Sequence, residues 1–177
     1  MNLEELRDDI TVKQKKGLPF IIASVIIWFL ISLVSLLDIN IEMKNILVFC
    51  CSTPLVPISW FIGKKLSVDI FSKENPLGNL GFLFTMNQML YILIVMWVFN
   101  AVPEKMVMVY AMVFGAHLLP YSWLYKSRGY AIFSIFIPIL SLILGNLYNG
   151  FILSFTLVLV EIVFVITLFI ELKQLKR

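Results

Sequence analysis

Long runs of apolar residues without a charged side chain constrain this chain more than any other feature. Four such runs cover 17–37, 45–63, 77–100 and 106–125. A helix needs about 17 to 25 such residues to cross the hydrocarbon core of a bilayer, which is about 30 Å thick. With 60% hydrophobic and only 14% charged residues, the chain has too little polar surface for a soluble domain. The sequence therefore predicts an integral membrane protein.

A fifth and a sixth span are predicted in the next apolar region. The uncharged stretch 129–160 is too long for one crossing, and the sequence GNLYNG at 145–150 interrupts it with a cluster of turn formers. We therefore place the fifth span at 130–145 and the sixth at 151–172, the latter with one acid near its centre. The predicted fold class is all-α, a polytopic membrane bundle of six transmembrane helices.

The segments outside the spans are short, so we expect one six-helix domain over 17–172. A basic tail follows at 173–177, and a charged segment precedes the domain at 1–16. Two interpretations of this N-terminal segment remain open. It is either a solvated lead-in that fixes orientation, or an amphipathic helix on the cytoplasmic surface with an apolar stripe at helical spacing, formed by Leu3, Leu6 and Ile10.

The basic residues favour one orientation in the membrane. With the N-terminus inside, two of the 14 Lys and Arg residues, Lys44 and Lys105, fall on the outer side. The other twelve fall on the inner side: Arg7, Lys13, Lys15, Lys16, Lys64, Lys65, Lys73, Lys126, Arg128, Lys173, Lys176 and Arg177. Short cytoplasmic loops carry an excess of Lys and Arg. We therefore predict that both termini are cytoplasmic.

Spans two and four end in the same pattern. The sequences LVPISWFIGK at 55–64 and HLLPYSWLYK at 117–126 both contain proline, then serine and tryptophan, then lysine. Indole rings lie well at headgroup level, and a following lysine can reach lipid phosphate. We therefore predict cytoplasmic interface anchors at Trp60, Lys64, Trp123 and Lys126. Duplication of a hairpin, chance, and an inverted three-plus-three repeat all remain open as origins.

Four polar residues are predicted at a similar depth near the middle of the membrane: Asn87, Gln88, His117 and Glu161. An ionised side chain at a helix centre costs about 2.5 to 3.5 kcal/mol on insertion scales. We therefore expect Glu161 to face the bundle, to be protonated, or to have a partner, for which His117 is the candidate. One interpretation is a site for a proton, a cation or a small polar ligand. The other is hydrogen bonding that only holds the helices together.

Two classes of function remain open. The first is a small transporter, channel or ligand-binding protein that uses the midplane residues. The alternative is a non-catalytic membrane subunit or scaffold that binds a partner protein or a second copy. We expect no enzyme, no metal, no cofactor and no nucleic acid, because the sequence has none of the common catalytic or phosphate-binding motifs and one histidine. The expected partners are the lipid bilayer and a small polar ligand, proton or cation.

Two stretches, KKGLPFI at 15–21 and HLLPYSWLY at 117–125, together with the six-span size, resemble a family of small bacterial integral membrane proteins of unknown function. The resemblance implies a multi-pass protein of the bacterial plasma membrane. It implies no activity and no role for any residue.

Overall fold

The computed structural model describes residues 2–72 and 74–175, and these residues form helices and short connections without a β-strand. The helices in chain order are α1 (Leu3–Lys13), α2 (Leu18–Leu36), α3 (Ile41–Ser52), α4 (Leu55–Lys65), α5 (Leu77–Ala101), α6 (Met106–Ala116), α7 (Leu119–Leu124), α8 (Arg128–Leu147) and α9 (Gly150–Gln174). Single 3₁₀ turns precede α2 and α6, at Lys15–Gly17 and Pro103–Lys105.

Six segments are long and apolar enough to cross a membrane, which confirms the predicted all-α, six-span architecture. They are Lys15–Leu36, Ile41–Lys65, Leu77–Ala101, Pro103–Leu124, Arg128–Leu147 and Gly150–Gln174. Most of them extend beyond the uncharged runs, because the helices continue into the polar interface. At two starts an asparagine side chain caps the helix, Asn40 before α3 and Asn149 before α9. The predicted basic tail lies partly outside the described residues, which stop at 175.

Two of the crossings are broken by proline. The second crossing changes from α3 to α4 at Thr53 and Pro54, and the fourth changes from α6 to α7 at His117 and Leu118. Proline lacks an N–H and cannot bond the carbonyl four residues earlier, so the regular helix ladder stops near it. Pro120 follows the second break, which places the one histidine of the chain at a helix end.

The helix of the fifth span ends two residues after the approximate boundary expected from the sequence. The cluster of turn formers suggested that the helix ends at Gly145, but α8 continues to Leu147 and only Tyr148 and Asn149 separate it from α9. Gly145 instead lies at a helix contact, because a Cβ added there would be 2.4 Å from Cγ of Met108 on α6. Small residues are common where membrane helices approach closely. This glycine therefore marks packing and not a turn.

The core lies between α2, α6, α8 and α9. The indole of Trp28 on α2 is buried and contacts the rings of Tyr110 and Phe114 on α6 at centroid distances of 5.7 and 5.6 Å. The most extensive helix contact joins α2 to α9, and the next joins α6 to α8. In contrast, α5 is peripheral, with Gln88, Val95 and Val98 as its buried residues.

A left-handed turn joins α1 to α2. Lys15, Lys16 and Gly17 all have positive φ, at 45°, 53° and 66°, and this conformation is unfavourable for the two lysines. Three contacts hold the turn in place. The Tyr130 hydroxyl donates to the Lys16 carbonyl at 2.8 Å, the Lys15 ammonium donates to the Leu66 carbonyl, and the Lys16 ammonium pairs with Glu171 on α9.

The N-terminal segment is a helix, as one of the two interpretations of the sequence expected, and it packs on the end of the bundle. We call the bundle end that holds 15–17, 64–65 and 126–128 the basic face, and the other end the opposite face. A capping box of Asn2 and Glu5 starts α1, and Ile10 is buried against the basic face. This helix therefore covers part of the bundle end.

Charged groups hold α1 on this face. Arg7 donates to the carbonyl of Trp123 at 2.6 Å, and Lys126 pairs with Asp8 and Glu4 at 2.6 and 2.8 Å. The hydrogen bonds from Lys126 to these two acids raise the pKa of its ammonium.

A second contact joins α1 to the connection before α5. The Nδ2 atom of Asn75 donates to the Leu6 carbonyl at 2.7 Å and to Asp9 Oδ2 at 2.9 Å. The hydrogen bond from Asn75 lowers the pKa of Asp9.

The uneven distribution of basic residues predicts that the basic face is cytoplasmic, and cysteine labelling tests this. In a background with Cys50 and Cys51 replaced by alanine, Asn40→Cys should react with a membrane-impermeant maleimide in intact cells. Ser72→Cys should react only after the membrane is opened. Both positions are in connections between spans, so accessibility reports the side of the membrane. Labelling of Ser72→Cys but not Asn40→Cys in intact cells would reverse the orientation.

Candidate functional site

Glu161 is fully buried between α9 and α2, and its orientation toward the bundle agrees with the sequence-based expectation. Its partner is Ser24, whose hydroxyl donates to Oε2 at 2.5 Å. The other oxygen, Oε1, is buried and has no hydrogen-bond partner among the described residues. A buried polar atom without a partner costs free energy, so this carboxyl group contributes less to stability than a fully bonded one.

The Ser24 hydroxyl has two short contacts to acceptor atoms but one hydrogen to donate. Its Oγ atom lies 2.7 Å from the carbonyl of Ile21, in its own helix, and 2.5 Å from the carboxyl group of Glu161. A serine hydroxyl has one hydrogen and can donate to one acceptor. Both short contacts are hydrogen bonds at the same time only when Glu161 is itself protonated and donates to Oγ. The pair therefore has one arrangement with a proton on Glu161 and one without.

The contact between α2 and α9, which we call the seam, contains small polar residues along its length. Ser32 and Ser154 are buried, and Ser35 is partly buried. Their hydroxyls donate to carbonyls of their own helices, at distances between 2.7 and 2.9 Å. Small side chains let two membrane helices approach closely. The seam is therefore a tight contact with hydroxyl groups near Glu161 and toward the opposite face.

A second carboxyl group lies at the basic-face end of the seam and has a complete set of partners. Glu171 Oε2 accepts from the Lys16 ammonium and from the Ser127 hydroxyl, both at 2.7 Å, and Oε1 accepts from the Gly129 N–H at 2.8 Å. The Lys16 side chain is 4% exposed and that of Glu171 is 17% exposed. Glu171 is thus satisfied where Glu161 is not.

The other midplane residues do not join Glu161. His117 lies at the end of α6, where its Nδ1 contacts the Phe114 carbonyl and its ring contacts the rings of Phe114 and Tyr121. On α5, Asn87 is exposed and donates to the Tyr91 hydroxyl at 2.8 Å, while Gln88 is buried. Among the residues that the structure describes, no hydrogen bond links any of these side chains to Glu161. The four residues predicted as one site therefore lie in three places.

Ser24 is the residue that sequence reasoning missed. Serine is common in membrane helices and usually bonds a carbonyl of its own helix, so nothing in the residue type singled it out. A signal does exist in the spacing. Ser24 lies eight residues after Lys16, and Glu161 lies ten residues before Glu171, so the Lys16–Glu171 pair puts both at a similar depth in antiparallel helices.

The four predicted anchors lie at the basic face, in two different environments. The Lys64 ammonium lies 3.6 Å from the centroid of the Trp60 ring, and both residues are on the surface of α4. Trp123 is equally exposed, but the guanidinium of Arg7 lies 4.5 Å from its ring centroid, while Lys126 binds acids of α1. In the second copy of the pattern, protein groups therefore occupy the place expected for lipid phosphate.

The fold and this site define a class, a six-span membrane protein with an acid buried between its first and last spans. The chain belongs to the family of unknown function DUF7010, which matches residues 3–171. No curated protein and no solved structure matches the chain.

Proposed function

We propose that this protein is a small transporter or ligand-binding membrane protein that takes up a proton or a small cation at Glu161, with Ser24 as its partner. One observation carries the proposal, the buried Oε1 atom that has no partner in the described part of the chain. An acid in the middle of a membrane helix costs several kcal/mol relative to leucine. Packing alone does not require that cost, whereas a group that binds a cation or a proton does.

The arrangement at Ser24 supports a protonatable pair. In the protonated arrangement Glu161 donates to Ser24, and Ser24 donates to the Ile21 carbonyl, so both short contacts are satisfied. When the proton leaves, Ser24 turns to the carboxylate and the Ile21 carbonyl loses that bond. Proton release therefore changes the hydrogen bonding of α2 against α9, which couples the charge of Glu161 to the fit of the two helices.

The position of the pair favours access from the opposite face. In that direction the seam has Ser32, Ser154 and Ser35, and it ends at a cavity whose wall includes Ser35 and Gly150. In the other direction it ends at the Lys16–Glu171 pair. Hydroxyl groups along the seam can bond water or pass a proton to Glu161 when the helices separate. The Lys16–Glu171 ion pair instead holds the two helices together at the basic face. We therefore place entry to Glu161 on the side of the cavity.

Infrared difference spectroscopy on pH jumps tests the proposal. The wild-type protein should show the carbonyl band of a protonated carboxyl group that Glu161→Gln lacks, because the amide keeps the shape of the side chain and has no titratable proton. Ser24→Ala should shift the band, because it removes the hydroxyl that bonds the Glu161 carboxyl group. In proteoliposomes, Glu161→Gln should abolish pH-dependent or cation-dependent flux and leave expression unchanged.

The matched control for this test is Glu42→Gln, which removes an exposed acid at the start of α3. It should leave the buried-carboxyl band and the flux unchanged. A Glu161→Gln protein with the same spectrum and the same flux as wild type would contradict the proposal. That outcome is expected if Glu161 only holds the helices together by hydrogen bonding. In that case Glu161→Leu should change the stability of the protein and no activity.

A second function has one observation in its favour. The helix α5 is barely buried, and it carries the Asn87 amide and the Tyr91 hydroxyl on its exposed face, near the middle of the membrane. Polar side chains at that depth usually face protein. This favours a non-catalytic subunit or scaffold whose α5 binds another membrane helix. Such a protein needs no titrating acid, so the infrared test separates the two functions.

A further inference from the structure

A cavity of about 420 Å³ opens at the opposite face, where α2 and α8 end and α3 and α9 begin. Its wall combines polar and apolar groups. The polar residues that matter here are Lys44, Asn45, Glu104 and Lys105, and Val48, Met108 and Leu153 are among the apolar ones. The cavity is separate from Glu161, which is not part of its wall.

Both basic residues that the sequence places on this side of the membrane, Lys44 and Lys105, are in the wall of this one cavity. Each ammonium donates to a backbone carbonyl near a helix end, Lys44 to Ser35 at 3.4 Å and Lys105 to Gly145 at 2.9 Å. Neither has a carboxylate within 4.0 Å in the described residues. An ammonium has three hydrogens, so each lysine keeps donors and a charge for an anion.

Asn45 supplies a second kind of group. It is fully buried, and its Nδ2 atom donates to the Pro103 carbonyl at 2.9 Å. Its Oδ1 atom is buried without a partner in the part of the chain that the structure describes. This wall residue therefore has an acceptor that lacks a donor, and a ligand reaches it when the wall around it opens. Glu104 is also in the wall and adds a carboxylate.

Helix ends of both signs meet at this cavity. The helices α9 and α3 begin at the wall residues Gly150 and Ile41, and an N-terminal helix end favours an anion. The helices α2 and α8 end there, and the two lysines bond carbonyls of these C-terminal ends. The negative group is therefore favoured by the lysine charges, whereas Asn45 and Glu104 favour a donor beside it.

We propose that this cavity binds a phosphate group with an ammonium group beside it, the chemistry of phosphoethanolamine. Lys44 and Lys105 hold the phosphate, and Oδ1 of Asn45 and the carboxylate of Glu104 accept from the ammonium. The source is either the headgroup of an ethanolamine phospholipid in the outer leaflet or a free small molecule of the same chemistry. This inference does not depend on a role for Glu161.

The test measures thermal stabilisation of the full chain in lipid-free detergent by free phosphoethanolamine, with phosphocholine as the matched probe. Phosphocholine has the same charges but no N–H on its cation. Its apparent affinity should be about tenfold weaker, the loss expected for one charge-assisted hydrogen bond. A second arm compares nanodiscs of phosphatidylethanolamine with nanodiscs of phosphatidylcholine. If phosphatidylethanolamine stabilises the protein and free phosphoethanolamine does not, the site binds a lipid headgroup. If both compounds stabilise it, the site recognises the phosphoethanolamine group itself.

Variants separate this site from general charge effects. The double variant Lys44→Gln with Lys105→Gln should lose the stabilisation, whereas Lys64→Gln with Lys65→Gln, the same charge change at the basic face, should keep it. Because Lys105 also caps α8, Lys105→Arg serves as a folded variant that keeps both charge and binding. Asn45→Leu should keep binding and weaken the preference for ethanolamine over choline, because Glu104 alone then accepts from the ammonium; a purely structural asparagine would not change this preference.

Two outcomes would overturn the proposal. One is equal stabilisation of the wild type and the Lys44→Gln, Lys105→Gln variant. The other is no stabilisation by free phosphoethanolamine and none by phosphatidylethanolamine.

Discussion

Replacing Glu171 with glutamine should destabilise the protein by about 3 kcal/mol, at the lower end of the cost of breaking a buried ion pair because Glu171 is partly exposed. The Lys16 ammonium would stay buried without a counter-charge. Glutamine keeps an oxygen for the Ser127 hydroxyl or the Gly129 N–H, so the main loss is charge. Thermal unfolding in detergent, followed by size-exclusion chromatography after heating, measures the change.

Two further variants isolate the pair. Lys16→Met should also destabilise the protein, and Lys16→Met with Glu171→Gln should cost less than the two single changes added together, because residues in contact are coupled. Lys173→Gln is the control, since it changes an exposed charge on the last turn of the same helix. Additive losses in the double variant, or an equal loss for Lys173→Gln, would show that the pair is not the cause.

Replacing Gly115 with alanine should destabilise the contact between α6 and α8 by about 1–3 kcal/mol, the usual cost of overpacking. A Cβ at this position would lie 2.5 Å from Cδ of Pro138 and 2.7 Å from Cγ2 of Ile137. Ile137 is buried and Pro138 is inside a helix, so neither can move aside without shifting α8. The same heating assay should show a lower unfolding temperature, and Gly115→Leu should show a larger decrease.

Gly150→Ala is the matched control for Gly115. A Cβ at Gly150 would lie 3.6 Å from Oγ of Ser35, an ordinary contact at the start of α9, and the change should be nearly neutral. A Gly115→Ala protein as stable as Gly150→Ala would mean that α6 and α8 do not pack as closely as the structure has them.

The number of spans could be predicted from the sequence because charged residues bound the first four apolar runs and the turn formers at 145–150 divide the last one. Positions 17–37 and 77–100, for example, agree closely with the first and third crossings. The end of the helix in the fifth span could not be predicted, because glycine occurs both at helix ends and at close helix contacts. Gly145 lies at such a contact, against Met108 of α6. The role of this glycine depends on a neighbour almost 40 residues away in the chain.

The candidate site was predicted only in part. The cost of an acid in a membrane helix is a local property, so the burial of Glu161 followed from its own helix. Its partner did not, because the partner is set by which helices pack together and by their rotation. His117 was the obvious choice by chemistry, yet it lies at a proline break and contacts Phe114 and Tyr121. Likewise, nothing in the spacing of Lys44 and Lys105 predicts that they share a cavity.

The contacts at the left-handed turn also have a consequence for biogenesis. Lys16 reaches the membrane surface with α2, whereas its partner Glu171 is synthesised 155 residues later. Trp123, whose carbonyl accepts from Arg7 on α1, is synthesised 116 residues after Arg7. Early in translation, α2 therefore has an uncompensated ammonium at its start, and α1 has no surface on which to dock. Insertion of the first span and docking of α1 are thus two events separated in time, and the second requires α7, which carries Trp123.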